Sequence, residues 1–155
     1  QMANLVCAID PLCQLFVAKI ADNHYGYSAE RAAEAVRWAI KKKVDIISMS
    51  FTTTEKNKEF EEAVEAAMDD GIIIVCSHHD EGALSTKDVY PACFGISHKS
   101  TMFRMASCNM YGKLMHDWDE STTDESSQKK YQYDLCVNSQ NIAVGAIPFL
   151  AKSTE

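Results

Sequence analysis

The feature that most constrains the fold is a stretch in which two short apolar runs flank an amphipathic segment. Residues 44–51 read VDIISMSF and residues 72–77 read IIIVCS, while residues 55–71 between them carry apolar side chains at helical spacing. Two β-branched runs joined by a helix indicate a parallel βαβ unit, because a tight turn cannot return the chain to the same end of a sheet. The sequence therefore predicts a strand, a helix and a second strand here.

The carboxyl ends of both predicted strands carry candidate site residues. Ser50, Phe51, Thr52 and Thr53 lie at the end of the first strand, and residues 77–82 (SHHDEG) lie at the end of the second. In open α/β sheets, ligands bind in the crevice beyond the carboxyl ends of the strands. We therefore expect any functional site of this chain to lie there.

The segments before this unit extend the same alternation. An apolar helical repeat over residues 2–9 ends at Asp10-Pro11, and residues 13–20 (CQLFVAKI) are predicted to form a buried strand. Ser28 is predicted to cap the next helix. The apolar stripe of that helix comprises Ala29, Ala32, Ala33, Val36, Ala39 and Ile40. The order of elements predicts an α/β fold with a doubly wound, mostly parallel sheet flanked by helices.

The second half of the chain gives weaker signals. A short apolar run over residues 92–97 is a predicted fourth strand, and residues 131–137 alternate as an outer strand does. Residues 141–147 form another short extended run. Residues 116–128 (HDWDESTTDESSQ) are acidic and polar, and we interpret them as a surface loop.

Composition excludes several classes of function. A chain of 155 residues is one domain at most, and its net charge of −7 argues against a nucleic-acid partner. No apolar run approaches the roughly 20 residues of a membrane span. The six cysteines are irregularly spaced, which favours free thiols, and no N-x-S/T sequon occurs. The last two features favour an intracellular protein.

The sequence also predicts neither a cofactor nor a metal site. Its six glycines form neither a dinucleotide-binding nor a P-loop motif. Neighbouring side chains on an extended segment point apart, so His78, His79 and Asp80 are poorly spaced to bind one ion. The acidic residues of 116–128 lack the spacing of an EF-hand.

Several segments, in this order and spacing, resemble the catalytic domain of subtilisin-like serine proteases. Residues 13–20 and 35–51 resemble the family's strand, helix and substrate-flanking strand, and residues 71–82 (GIIIVCSHHDEG) resemble its strand and oxyanion-hole loop, GVVVVAAAGNEG. Residues 89–97 (VYPACFGIS) resemble the family segment that begins YPA and forms the strand after that loop. Tyr133-Asp134-Leu135 with Asn141-Ile142 is similar to the segment that precedes the nucleophile.

The resemblance implies a serine endopeptidase domain with a three-layer α/β/α fold, a peptide or protein substrate and no cofactor. It places Ser50, Phe51, Thr52 and Thr53 at the substrate strand and Asp80 at the oxyanion-hole position. It also implies that residues 1–155 are the interior part of one such domain, incomplete at both ends, within a longer chain that offers intramolecular partner domains. The motif of the catalytic histidine, His-Gly-Thr, is then expected directly before Gln1, and the motif of the nucleophile, Gly-[ST]-Ser, soon after Glu155. The chain alone is expected to have low stability.

Departures from the family pattern leave the activity open. No triad residue aligns within the chain, Thr52 and Thr53 replace two glycines, and Asp80 replaces a neutral Asn. Loss of one oxyanion donor costs roughly 3–4 kcal/mol of transition-state stabilisation. Two further hypotheses therefore stand beside the peptidase: a catalytically inactive pseudoprotease that serves as an interaction module, and an unrelated doubly wound ligand-binding domain.

Overall fold

A parallel sheet with helices packed on it forms the body of the protein. The computed structural model describes residues 2–22, 27–78, 88–94, 101–112 and 133–138. Their elements are α1 (Met2–Ile9), α2 (Ala29–Lys42), β1 (Ile46–Met49), α3 (Lys58–Asp69), β2 (Ile73–Ser77), β3 (Met102–Cys108) and β4 (Leu135–Asn138). The strands lie in the order β1-β2-β3-β4, and every neighbouring pair is parallel. The predicted α/β class and parallel βαβ unit are confirmed.

Both long helices begin at the caps that their sequences provide. The Ser28 hydroxyl accepts a hydrogen bond from the Arg31 backbone N–H at 3.3 Å, as predicted. The Asn57 side-chain oxygen accepts one from the Phe60 N–H at 2.9 Å. Each bond satisfies an amide that the first turn of a helix leaves without a partner. Gly71 follows α3 with a φ of 80°, a conformation that glycine adopts without strain.

Alternation along the strands gives the sheet two different faces. Ile74 and Cys76 of β2 are buried, whereas Ile73 and Val75 are only half-buried. The register carries each set across the sheet. We call the first set the covered face: Met49, Ile74, Cys76 and Met102. The second set is the open face: Ile46, Ser48, Ile73, Val75, Ser77, Phe103, Met105, Ser107, Leu135 and Val137.

Helices α2 and α3 pack together over the covered face. The small residues Ala32 and Ala33 and the side chain of Val36 form the buried stripe of α2, in agreement with the sequence pattern. They share one apolar core with the buried stripe of α3 and with the covered face. That stripe comprises Phe60, Ala63, Val64, Ala67 and Met68. Alanine at the contact lets two helices approach closely, so a continuous core forms on this side of the sheet.

The prediction of a buried strand over residues 13–20 is wrong. This segment pairs with none of the four strands, and Leu15 and Val17 are exposed. A strand requires a neighbour that satisfies its backbone groups, and an apolar run alone does not supply one. The ring of Phe16 does meet Trp38 edge-on at 6.0 Å, so this segment packs against α2.

The fourth strand is also displaced from its predicted position. Residues 91–93 form a turn, closed by hydrogen bonds from the Cys93 N–H to the Val89 carbonyl and from the Phe94 N–H to the Pro91 carbonyl. The strand beside β2 is β3, whose apolar pattern is interrupted by Arg104. The predicted outer strand is confirmed in part as β4. Residues 95–97, 116–128 and 141–147 lie outside the described residues.

Candidate functional site

The carboxyl ends of β1 and β2 lie side by side. Met49 is the register partner of Cys76, so Ser50 and Ser77 continue the two strands at the same edge. The His78 N–H donates to the Met105 carbonyl at 2.9 Å, which extends the β2–β3 pairing by one bond. Ser50 is exposed at this edge, where the sequence placed the candidate site.

Phe51 anchors the segment that leaves β1. Its ring stacks on Phe60 of α3 at a centroid distance of 6.3 Å and an interplanar angle of 19°. It also meets the Tyr27 ring at 5.7 Å. The side chain is therefore packed against the apolar core, and the backbone around it is held in a fixed position.

The backbone of Thr52 and Thr53 is already engaged. The Tyr27 hydroxyl donates to the Thr52 carbonyl at 2.7 Å. Thr53 exchanges two hydrogen bonds with Tyr90, at 3.0 Å from its own N–H and 2.9 Å to its own carbonyl. The Thr53 hydroxyl donates to the Glu55 carbonyl at 2.9 Å. An extended peptide can therefore not pair with the backbone of Thr53 unless Tyr90 is displaced.

Tyr27 is a site residue that sequence reasoning missed. The sequence of residues 21–27 is typical of a polar loop, yet Tyr27 contacts Phe51 through its ring and Thr52 through its hydroxyl. Both residues belong to the 50–53 segment, which we call the candidate groove. A usable signal was present: Tyr27 directly precedes the Ser28 cap, and a large apolar residue at that position often packs back against the fold.

The structure brings together Ser50, Phe51, Thr52 and Thr53 with Ser77 and His78. Asp80, predicted at the oxyanion-hole position, and His79 lie outside the described residues. Within the described part of the chain, no group of three or more His, Cys, Asp or Glu side chains is arranged to hold a metal ion. The helices described there also include none with the length and apolar character that crossing a bilayer requires.

The Cys76 thiol, near the end of β2, is unreactive. Burial raises the pKa of Cys76 to about 12, the Arg104 guanidinium opposes that rise, and the Asp134 carboxylate adds to it. Only thiolates act as nucleophiles, so Cys76 is inert at neutral pH. It belongs to the core beneath the candidate site.

Comparison with known proteins decides the family. Residues 9–147 match the profile of Peptidase S8, the subtilase family. The chain belongs to the subtilase family. The resemblance carried by the strand and loop segments is thereby confirmed over most of the chain.

The relatives show both the kinship and its extent. The chain is 29% identical over 87 residues to the minor extracellular protease Epr of Bacillus subtilis (strain 168). That alignment covers 56% of this chain and 13% of Epr. It is 30% identical over 94 residues to an intracellular serine protease of Paenibacillus polymyxa, covering 59% of this chain and 29% of that one.

A solved structure shares the fold. A mutant form of the protease domain of PatA superposes with a TM-score of 0.52 at 17% identity, covering 62% of this chain and 34% of that chain. This chain therefore spans about a third or less of the length of each of these three proteins.

Proposed function

We propose that this chain is the interior part of one serine endopeptidase domain, and that the protein containing it hydrolyses peptide bonds in peptide or protein substrates. The observation that carries the proposal is the parallel β1–β2 pair, which sets Ser50 and Ser77 side by side at the carboxyl edge in a chain of the subtilase family. In this proposal the residues 50–53 flank the substrate, and Asp80 occupies the oxyanion-hole position.

In this proposal the residues of the 50–53 segment have different roles. Ser50 is exposed at the edge, where an extended substrate can pair with the backbone. Phe51 and Tyr27 hold that backbone from the core side, and the Thr53–Tyr90 bonds fix where the groove ends. In this proposal the chain supplies the substrate strand and the oxyanion-hole position, and the family resemblance implies that the catalytic triad lies outside residues 1–155.

A pseudoprotease is the second candidate function, and Thr53 favours it. Both backbone groups of Thr53 are bonded to Tyr90, so this part of the strand is closed to a peptide. Thr52 and Thr53 also add side chains where the family pattern has glycines. On this hypothesis the scaffold binds a protein partner and does not cleave it.

A fluorophosphonate probe separates the two candidates, because it labels only an activated serine nucleophile. The test uses the full-length protein that contains this chain, with hydrolysis of a fluorogenic casein as the second readout. Labelling together with casein hydrolysis supports the peptidase. A folded protein that shows neither labelling nor hydrolysis overturns it and leaves the pseudoprotease.

The variant Asp80→Asn tests the oxyanion assignment. An amide donates a hydrogen bond where negative charge develops, so kcat should rise by about tenfold or more. The gain should grow with pH, because the carboxyl group that it replaces is then more fully ionised. The matched control is Asp45→Asn, which makes the same charge change before β1, at the opposite edge of the sheet. A kcat that Asp80→Asn leaves unchanged or lowers at every pH would remove Asp80 from the site.

A further inference from the structure

The peptide unit between Thr52 and Thr53 is held from both sides. Its N–H, which belongs to Thr53, donates to the Tyr90 carbonyl at 3.0 Å. Its carbonyl, which belongs to Thr52, accepts from the Tyr27 hydroxyl at 2.7 Å. The N–H and the carbonyl of a trans peptide unit point in opposite directions. Tyr27 and Tyr90 therefore lie on opposite edges of the candidate groove.

The two edges are closed by different kinds of contact. On one edge, the Thr53 carbonyl also accepts from the Tyr90 N–H at 2.9 Å, so two backbone segments are paired there. A peptide can enter that edge only if the two segments separate. On the other edge the contact comes from a side chain, and a rotation of Tyr27 about its Cα–Cβ bond frees the Thr52 carbonyl while the backbone stays in place. The edge that carries Tyr27 is therefore the easier one for an extended peptide to reach.

Tyr27 is placed where a ligand can displace it. Its side chain is 37% exposed, and its hydrogen bond to Thr52 lies at the surface of the protein. Its ring meets the Phe51 ring at a centroid distance of 5.7 Å and an interplanar angle of 55°. Displacement therefore breaks one hydrogen bond and disturbs one ring contact. The net free energy of a single hydrogen bond is small, so a peptide that forms a bond of its own at Thr52 can replace it.

We propose that Tyr27 gates the candidate groove. When the groove is empty, the Tyr27 hydroxyl occupies the Thr52 carbonyl. An extended segment of a peptide or an unfolded protein displaces the hydroxyl and donates a backbone N–H of its own to that carbonyl, as an added strand does. Tyr27 thus competes with the ligand and lowers its affinity. This inference rests on the proposed role of residues 50–53 beside the substrate.

The affinity for casein tests the gate. The full-length protein is first treated with the fluorophosphonate, so that any activated serine is blocked and casein is bound without being cleaved. Binding of fluorescein-labelled casein is then measured by fluorescence anisotropy. Tyr27→Phe keeps the ring and removes the hydroxyl, so the Kd should fall by about threefold to tenfold. The matched control is Tyr133→Phe, which removes a hydroxyl before β4, on the far side of the sheet from β1, and should leave the Kd unchanged.

Two further readouts distinguish a gate from a residue that only supports the fold. In an active protein, Tyr27→Phe should lower KM for casein by the same factor and leave kcat unchanged, because ground state and transition state gain the same bond. In protein labelled with 3-fluorotyrosine, the Tyr27 fluorine resonance is the one that Tyr27→Phe removes. Saturating casein should shift this resonance and leave that of Tyr133 in place.

The outcomes for the gate and for the peptidase are separate. A Kd that Tyr27→Phe leaves unchanged or raises, a Tyr27 resonance that casein does not shift, or a failure of both proteins to bind casein would overturn the gate. A protein that the fluorophosphonate labels but whose Kd is insensitive to Tyr27 keeps the peptidase and loses the gate. An unlabelled protein in which Tyr27→Phe binds casein more tightly keeps the gate and loses the peptidase.

Discussion

The two faces of the sheet are built from the same kind of strand but have different surroundings. On the covered face, Ile74 and Cys76 are buried beneath two helices whose alanines allow close approach. On the open face, Ile46, Leu135 and Val137 are 57%, 50% and 47% exposed. A sheet with a solvated face usually carries polar residues there, whereas parallel sheets are generally covered on both sides. Seven of the ten residues on the open face are apolar and three are serines, so the face suits the second layer of helices that the three-layer prediction requires.

Truncation of Phe60 should have the largest effect and would show how much the covered face contributes. Phe60 is fully buried and contacts the rings of Phe51 and Phe94. Phe60→Ala should lower the free energy of unfolding by about 3–5 kcal/mol, measured by urea denaturation followed by circular dichroism. If the chain becomes too unstable to measure, Phe60→Leu should give a smaller loss in the same direction.

The matched control lies on the other face. Ile46→Ala removes apolar atoms from a side chain that is already more than half exposed. Its cost should stay below about 1 kcal/mol. Equal losses for Phe60→Ala and Ile46→Ala would abolish the distinction between the two faces.

The ion pair between Arg104 and Asp134 should have the next largest effect, because it joins β3 to the start of β4. The guanidinium donates to both carboxylate oxygens at 2.9 Å, and the Arg104 N–H donates to one of them at 2.8 Å. The Arg104 side chain is 14% exposed and that of Asp134 is 33% exposed. Arg104→Met leaves a partly buried carboxylate without its partner and should lower the free energy of unfolding by about 1–3 kcal/mol.

Arg104→Lys should recover only part of that loss, because an ammonium group cannot form the two parallel bonds. The control is Arg37→Met, which removes an exposed pair with Glu59 at 3.8 Å. That change should cost less than about 0.5 kcal/mol. A cost for Arg104→Met as small as that of Arg37→Met would show that the pair does not hold β4.

The smallest effect is expected on the open face itself. Leu135→Ser should change the free energy of unfolding of the isolated chain by less than about 1 kcal/mol, because half of the side chain is already in water. The wild-type chain alone should bind the dye ANS and melt at low temperature, and Leu135→Ser should reduce the dye fluorescence. In the longer protein the same variant should cost more if a second layer covers Leu135. A sharp, high-temperature melt of the chain alone would contradict this view.

Much of the fold was predictable because local chemistry decides it. The helical period placed α2 and α3 correctly, Ser28 marked the start of α2, and β-branched runs placed β1 and β2. The strand predicted at residues 13–20 failed because pairing is a long-range property that an apolar run does not encode. β3 was missed because Arg104, its third residue, is paired with Asp134, a partner thirty residues along the chain.

The candidate site was predictable in position but not in detail. The rule for parallel sheets placed residues 50–53 at the carboxyl edge, and the structure agrees. The hydroxyl of Tyr27 on the Thr52 carbonyl could not be predicted, since it joins residues 25 positions apart. The role of Asp80 stays a prediction.

The pair of bonds between Thr53 and Tyr90 has a mechanical consequence. Tyr90 packs against Phe94 with ring centroids 5.0 Å apart, and Phe94 meets Phe60 at 5.2 Å. A continuous chain of contacts therefore connects Thr53 to Phe60 in helix α3. Displacement of Thr53 is expected to disturb the packing of Phe60 as well.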